Sequence, residues 1–185
     1  MHPSTTFQAA LLISIQLMAG GIAYGAPLKD DAFDALYFNW KSLHLSDAIV
    51  EVRGDGNRKI AVFTDPDCGY CRKYEQSLAQ IDNVTIYRFL TPISAAGKRT
   101  SIHIWCSAPD NAARLENLRA IMNGERAVSA LPDRTCTNPV QANIRFAQAQ
   151  DLYFTPSTAN KDGRIAKGYL PLENLQRWLS GKPAF

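Results

Sequence analysis

The stretch Ile60-Ala61-Val62-Phe63-Thr64-Asp65-Pro66-Asp67-Cys68-Gly69-Tyr70-Cys71-Arg72-Lys73 decides how this chain folds and what chemistry it carries. It opens on an apolar run, breaks at Pro66, and passes into a helical pattern over residues 68–80 with Tyr74, Leu78 and Ile81 on one side. Cys68 and Cys71 therefore stand at a strand-to-helix junction. The first lies at a helix N-terminus, where unpaired backbone N–H groups and the helix dipole stabilise a thiolate. The second lies one turn on, close enough to attack a mixed disulfide formed at the first. The arrangement predicts thiol–disulfide exchange.

Working outward, residues 59–64 read as a buried strand, and Val84–Leu90 alternates as a second strand after Asn83 as its turn residue. The two strands and the helix between them make a β–α–β unit, which calls for a parallel pair and a right-handed crossover. Residues 94–106 and Asn111–Met122 follow as helices, the second ended by Gly124, and 131–137 as a loop. Residues 140–152 are helical again until Thr155-Pro156 breaks the pattern. Short strands at Ser157–Asn160 and 164–167 flank the turn signal Lys161-Asp162-Gly163, and a last helix runs from Pro171 to Leu179. Upstream, Ser46 can cap a helix over 47–51, and 30–36 can form a small one. The order defines an α/β chain: a thioredoxin fold with a helical insertion, at about 93–150, between its β–α–β and β–β–α halves.

A Cys-x-x-Cys pair can also be half a zinc site, and Cys106, Cys136 and His103 are the nearby residues of suitable type. Arg72 after Cys71 excludes haem attachment, which needs His there. A purely structural bridge across so small a loop adds little chain-entropy stabilisation. The strand–helix setting favours redox chemistry, with no metal and no organic cofactor.

The chain has 185 residues, ordinary apolar and charged fractions and a formal net charge of +3, enough for one domain with a core plus an appendage. Basic residues do not cluster densely; Arg53, Arg58 and Lys59, with Lys98-Arg99, come closest and read as solvated surface. No nucleic-acid partner is expected. Residues 7–23 are apolar or small and uncharged, and Ala23-Tyr24-Gly25 suits a signal peptidase, so residues 1–25 read as an export signal cleaved after Gly25. In an oxidising compartment the four cysteines are expected to pair; of three connectivities, spacing favours Cys68–Cys71 with Cys106–Cys136.

The segment Phe63 to Lys73 resembles the active site of the bacterial periplasmic disulfide isomerases, the DsbC/DsbG family. Ile104-Trp105-Cys106 with Cys136, Thr155-Pro156, and Gly168-Tyr169-Leu170-Pro171 resemble further motifs of that family in the same order. The resemblance implies that Cys68 is the exposed nucleophile and Cys71 the buried resolving thiol, with Gly69 and Tyr70 tuning the first thiol. It implies a cis Pro156, with the Thr155 backbone open to a substrate strand, and a structural disulfide between Cys106 and Cys136. Such a bridge closes a loop worth roughly 3–4 kcal/mol in the chain-entropy model. It further implies a periplasmic enzyme that reduces or isomerises wrong disulfides in cysteine-containing exported proteins and is recharged by a membrane-bound thiol reductant. The family carries a separate N-terminal dimerisation domain and a linker helix. Here only 26–56, read as a linker remnant, precedes a catalytic domain over 57–185, which points to a monomer or weak dimer. A monomeric dithiol oxidase and a client-binding assembly protein with secondary redox activity are the alternatives. Phe154 stands where the family has a small residue.

Overall fold

A computed structural model describes residues 38–185. The expected export signal over 1–25 and the small helix over 30–36 lie outside the described residues.

Strand β2 (Arg58–Thr64) runs parallel to β3 (Val84–Leu90), with Ile60 beside Ile86, Val62 beside Arg88 and Phe63 beside Phe89. Helix α1 (Gly69–Leu78) makes the crossover, and Asn83 takes the left-handed backbone (φ 53°) that turns the chain into β3. Period-two alternation sorts the strands' side chains onto two faces. Ile60, Val62 and Ile86 pack against Tyr74 and Leu78 of α1 and against Leu175 and Trp178 of α5 (Leu172–Leu179). Ala61, Phe63 and Phe89 face the other way, against Phe38, Leu43 and Ala147 of α4 (Val140–Ala149).

Between β3 and the closing hairpin lies the helical insertion. Helix α2 (Ala95–Cys106) starts where the Ser94 side chain accepts from Gly97 N, and α3 (Asn111–Met122) where Asp110 accepts from Ala113 N. Leu90, Ile104, Leu118, Ile121 and Val140 form the insertion's core, and Cys71 belongs to the same cluster. The catalytic helix is thus packed from one side by the insertion. Cys106 and Cys136 form a disulfide that ties the end of α2 to the loop before α4. The hairpin β4 (Ser157–Asn160) and β5 (Ile165–Lys167) adds β4 antiparallel to β2, and with β1 (Ile49–Arg53) completes a mixed sheet ordered β1-β3-β2-β4-β5.

The helix expected over 47–51 is not formed. A 3₁₀ turn forms at Leu45–Asp47 with His44, not Ser46, at its N-cap and no side-chain cap, and Ile49–Arg53 is instead strand β1, antiparallel to β3. Three causes combine. Ile49, Val50 and Val52 are β-branched, the outer edge of β3 needs a partner, and Asn111 of α3 accepts from Val50 N (2.7 Å) and donates to Val50 O (2.6 Å). The sheet therefore takes in residues ahead of the 57–185 boundary drawn from the sequence.

β1 also supplies Glu51 to a buried charge cluster. The Arg88 guanidinium, fully buried, donates from Nε and Nη2 to Glu75 of α1 (2.9 and 2.8 Å), and its Nη1 lies 2.9 Å from Glu51 Oε2. Glu51 is paired as well with Arg53 and with Arg119 of α3. Burial works to raise the Glu51 pKa, but the guanidiniums of Arg88, Arg119 and Arg53 outweigh it and hold the carboxylate below its ordinary value. A depressed folded-state pKa stabilises the fold above the unfolded value of about 4.3, and that contribution is lost as pH falls through the lower folded value. The stability gap between wild type and Glu51→Gln should thus be widest above about pH 4.3 and close on acidification. Urea unfolding at a series of pH values checks this; a gap independent of pH would contradict it.

Candidate active site

Cys68 is the N-cap of α1, extended in backbone (φ −84°, ψ 122°), and its Arg72 N–H partner closes the first helical turn. Pro66 ends the strand geometry, and the Asp65 carboxylate, buried, accepts from Asp67 N (2.9 Å) and from Ile93 N (3.0 Å). The loop that presents Cys68 is therefore pinned to the loop that follows β3. Gly97 permits this: a Cβ there would collide with the Asp65 carboxylate. The burial of Asp65 under α2 has no local signal in the sequence, although Gly97 in the first turn of a helix is a hint of close approach.

The two thiols of the motif differ in setting. Cys68 is partly exposed, and its Sγ lies 3.5 Å from the carbonyl oxygen of Thr155, toward which it can donate. Cys71 is buried one turn deeper, where its Sγ accepts from Asp65 N at 3.4 Å. Burial pushes the Cys71 thiol up to about 12; hydrogen bonds from the Asp65 backbone and the Thr64 side chain oppose this without overcoming it. An accessible sulfur at a helix N-terminus stands above a protonated one.

The Thr155-Pro156 peptide bond is cis, and the Pro156 carbonyl accepts from Gly168 N (2.8 Å), which fixes this loop to the approach to α5. Tyr169 follows, its ring 6.4 Å from that of Tyr70 and 6.3 Å from that of Tyr74. The Tyr70 ring is exposed beside the Lys73 ammonium, 5.7 Å from the ring centre. Among the described residues, nothing lies within 4 Å of where a Cβ on Gly69 would stand. Cys68, Cys71, Gly69, Tyr70, Thr155 and Pro156 are thus brought together at the end of β2. Cys106 and Cys136 stand apart in the insertion, in the disulfide between α2 and the following loop. Arg72 and Lys73 are exposed helix residues. Ile93 and Tyr153, at the rim of the site, were not singled out by sequence reasoning, because an exposed apolar residue in a loop has no periodicity to mark it.

A sheet with a central parallel pair, a dithiol at the helix start and a cis proline opposite it define a thioredoxin-type protein. The chain belongs to the thioredoxin-like domain family, whose model matches residues 45–181. It is 34% identical over 138 residues to the probable thiol:disulfide interchange protein DsbC of Bordetella pertussis, covering 74% of this chain and 47% of that protein. It is 26% identical over 130 residues to the thiol:disulfide interchange protein DsbC of Dickeya dadantii, covering 68% of this chain and 51% of that one. The chain thus spans about half the length of the curated relatives it matches. Among solved structures it resembles a disulfide interchange protein from Neisseria gonorrhoeae, with a TM-score of 0.67 and 30% identity, over 76% of this chain and 98% of that one. A periplasmic thioredoxin-like protein from Salmonella enterica serovar Typhimurium shares the fold, with a TM-score of 0.61 at 15% identity over 73% of this chain and 89% of that one.

Proposed function

We propose that this chain is a periplasmic thiol–disulfide oxidoreductase that reduces or isomerises wrong disulfides in exported proteins. The observation that carries the reading is the contrast between an accessible Cys68 beside the Thr155 carbonyl and a buried Cys71 held protonated. The Cys68 thiolate attacks one sulfur of a client disulfide. A bond forms between Cys68 and that sulfur, and the client's other sulfur leaves as a thiolate and takes a proton from solvent. Two outcomes follow. A second client thiolate attacks the mixed disulfide, making the rearranged client bond and freeing Cys68. Alternatively Cys71 loses its proton, attacks Cys68 Sγ and releases a reduced client, leaving a Cys68–Cys71 disulfide. Two electrons have then passed from the protein to the client, and a thiol reductant must return them.

The high pKa of Cys71 gives this sequence its order. Cys71 stays protonated while a mixed disulfide waits at Cys68, which leaves time for the client's own thiols to rearrange. Gly69 and Tyr70 tune Cys68 in this reading, Thr155 and Pro156 offer backbone to an extended client, and Cys106–Cys136 holds the insertion together. Residues 1–25 serve as the export signal, the reductant is membrane-bound, and the protein acts as a monomer or weak dimer. The similarity to proteins named DsbC supports the reducing or isomerising direction.

Catalysed reduction of hydroxyethyl disulfide with glutathione as electron donor tests the reading. Saturable turnover above the uncatalysed rate is expected, and its absence would overturn the proposal. Acid quenching and alkylation of cells should find Cys68 and Cys71 mostly reduced; a mostly oxidised pair would assign the oxidase direction instead.

A further inference from the structure

We infer that Asp65 is a positioning residue for disulfide exchange: it aims the Cys71 sulfur at the mixed disulfide and so sets how often a client leaves reduced rather than rearranged. The inference rests on the oxidoreductase reading above. Between the end of β2 and the start of α1 stand Asp65, Pro66, Asp67 and Cys68. The backbone donors of this connection all resolve through Asp65. Pro66 has no N–H. Asp67 N donates to the Asp65 carboxylate (2.9 Å) and Cys68 N to the Asp65 carbonyl (3.0 Å). The N–H of Asp65 itself donates to Cys71 Sγ at 3.4 Å. One buried residue thus holds the nucleophile's backbone with its carbonyl and the resolving sulfur with its amide.

What fixes Asp65 in turn comes from the helical insertion. Its second carboxylate oxygen accepts from Ile93 N (3.0 Å), in the loop that leads into α2. Gly97 of α2 comes so close that a Cβ there would stand 2.9 Å from the Asp65 carboxyl carbon and closer still to its oxygens. Alanine is the better helix former at such a position, so the glycine is explained by the carboxylate it admits. The carboxylate suits its place because both oxygens accept. An asparagine would turn its NH₂ group toward one of the two backbone N–H groups and leave that bond unmade. The insertion therefore sets the position of the Asp65 amide, and with it the Cys71 sulfur.

The consequence falls on the second half of the exchange. Burial opposes a thiolate at Cys71, and the bond from Asp65 N works against that burial. A hydrogen bond to a charged acceptor shifts an equilibrium by roughly tenfold or more. A thiolate that loses it is more basic and so a better nucleophile, which offsets about half of the loss on a logarithmic scale and leaves a rate about threefold lower. Attack by a client thiol on the same mixed disulfide does not use Cys71 and does not feel that loss. Loosening Asp65 therefore shifts the balance from release of a reduced client toward rearrangement.

The test mixes reduced protein with glutathione disulfide, quenches with acid at intervals and quantifies the mixed disulfide by mass. Cys68 bonds one glutathione and the other leaves as a thiol; Cys71 then gives up its proton, bonds Cys68 and releases the second as a thiol. Asp65→Asn and Gly97→Ala should each slow the decay of the mixed disulfide by at least about threefold, while its formation stays within about twofold of wild type. In an Asp65→Ala background, adding Gly97→Ala should change the decay by less than about twofold, because the carboxylate it strikes is gone. Decay at the wild-type rate in Gly97→Ala, or an equal slowing by Gly97→Ala with and without the Asp65 carboxylate, overturns the inference. Absence of a glutathione adduct on Cys68 in Cys71→Ser overturns the oxidoreductase reading itself.

Discussion

Cys68→Ser is expected to lower disulfide turnover by at least about a thousandfold, to the uncatalysed rate, while leaving the fold in place. A thiolate is the nucleophile in disulfide exchange, and a hydroxyl at neutral pH supplies none. The remaining thiol cannot substitute. Cys71 is buried, and its pKa near 12 leaves it almost wholly protonated at neutral pH. The substitution removes one partly exposed sulfur that lies against the Thr155 carbonyl, so thermal unfolding should shift little. Turnover and melting measured on the same preparation separate chemistry from folding. Substantial residual turnover would assign the nucleophile elsewhere.

Arg88→Met is expected to have the opposite signature, a large loss of stability. Arg88 is fully buried between Glu75 and Glu51, and through them it joins α1, β1 and β3, with α3 tied in by Arg119. Removing the guanidinium leaves the Glu75 carboxylate buried without its ion-pair partner. Breaking a buried pair from one side costs about 3–5 kcal/mol, which for a domain of this size lowers the melting temperature by roughly 6–20 °C. Replacing Glu75 as well, in Arg88→Met with Glu75→Leu, should recover part of the loss, because the stranded charge goes with its partner. Thermal unfolding of the two variants checks both halves. A single substitution that melts within about 2 °C of wild type would show that the cluster contributes little.

Much of this architecture was legible because local and tertiary signals agree. The apolar run of β2, the helical spacing of Tyr74 and Leu78, the alternation of β3, the Lys161-Asp162-Gly163 turn and the inward stripe of α5 each named their element. β1 was not legible, and the reason is physical. Ser46-Asp47 is a sound local start signal for a helix, whereas the pairing that makes Ile49–Arg53 a strand is supplied by β3 and by Asn111, far along the chain. The burial of Glu51 has no local signal, because the Arg88 that pairs with it stands on the neighbouring strand, opposite Ile49. The site divides the same way. Cys68, Cys71 and Thr155-Pro156 carry short motifs, and their residue types announce chemistry. The Asp65 carboxylate under α2 and the Arg88 cluster are each assembled from elements far apart in the chain, and no stretch of the sequence contains them.

The most direct test of the central claim is to trap the mixed disulfide. Cys71→Ser, incubated with a disulfide-bonded peptide, should accumulate a covalent adduct that peptide mapping places on Cys68 and that a reducing agent releases. No adduct, or an adduct on Cys106 or Cys136, would contradict the assignment of Cys68 as the nucleophile.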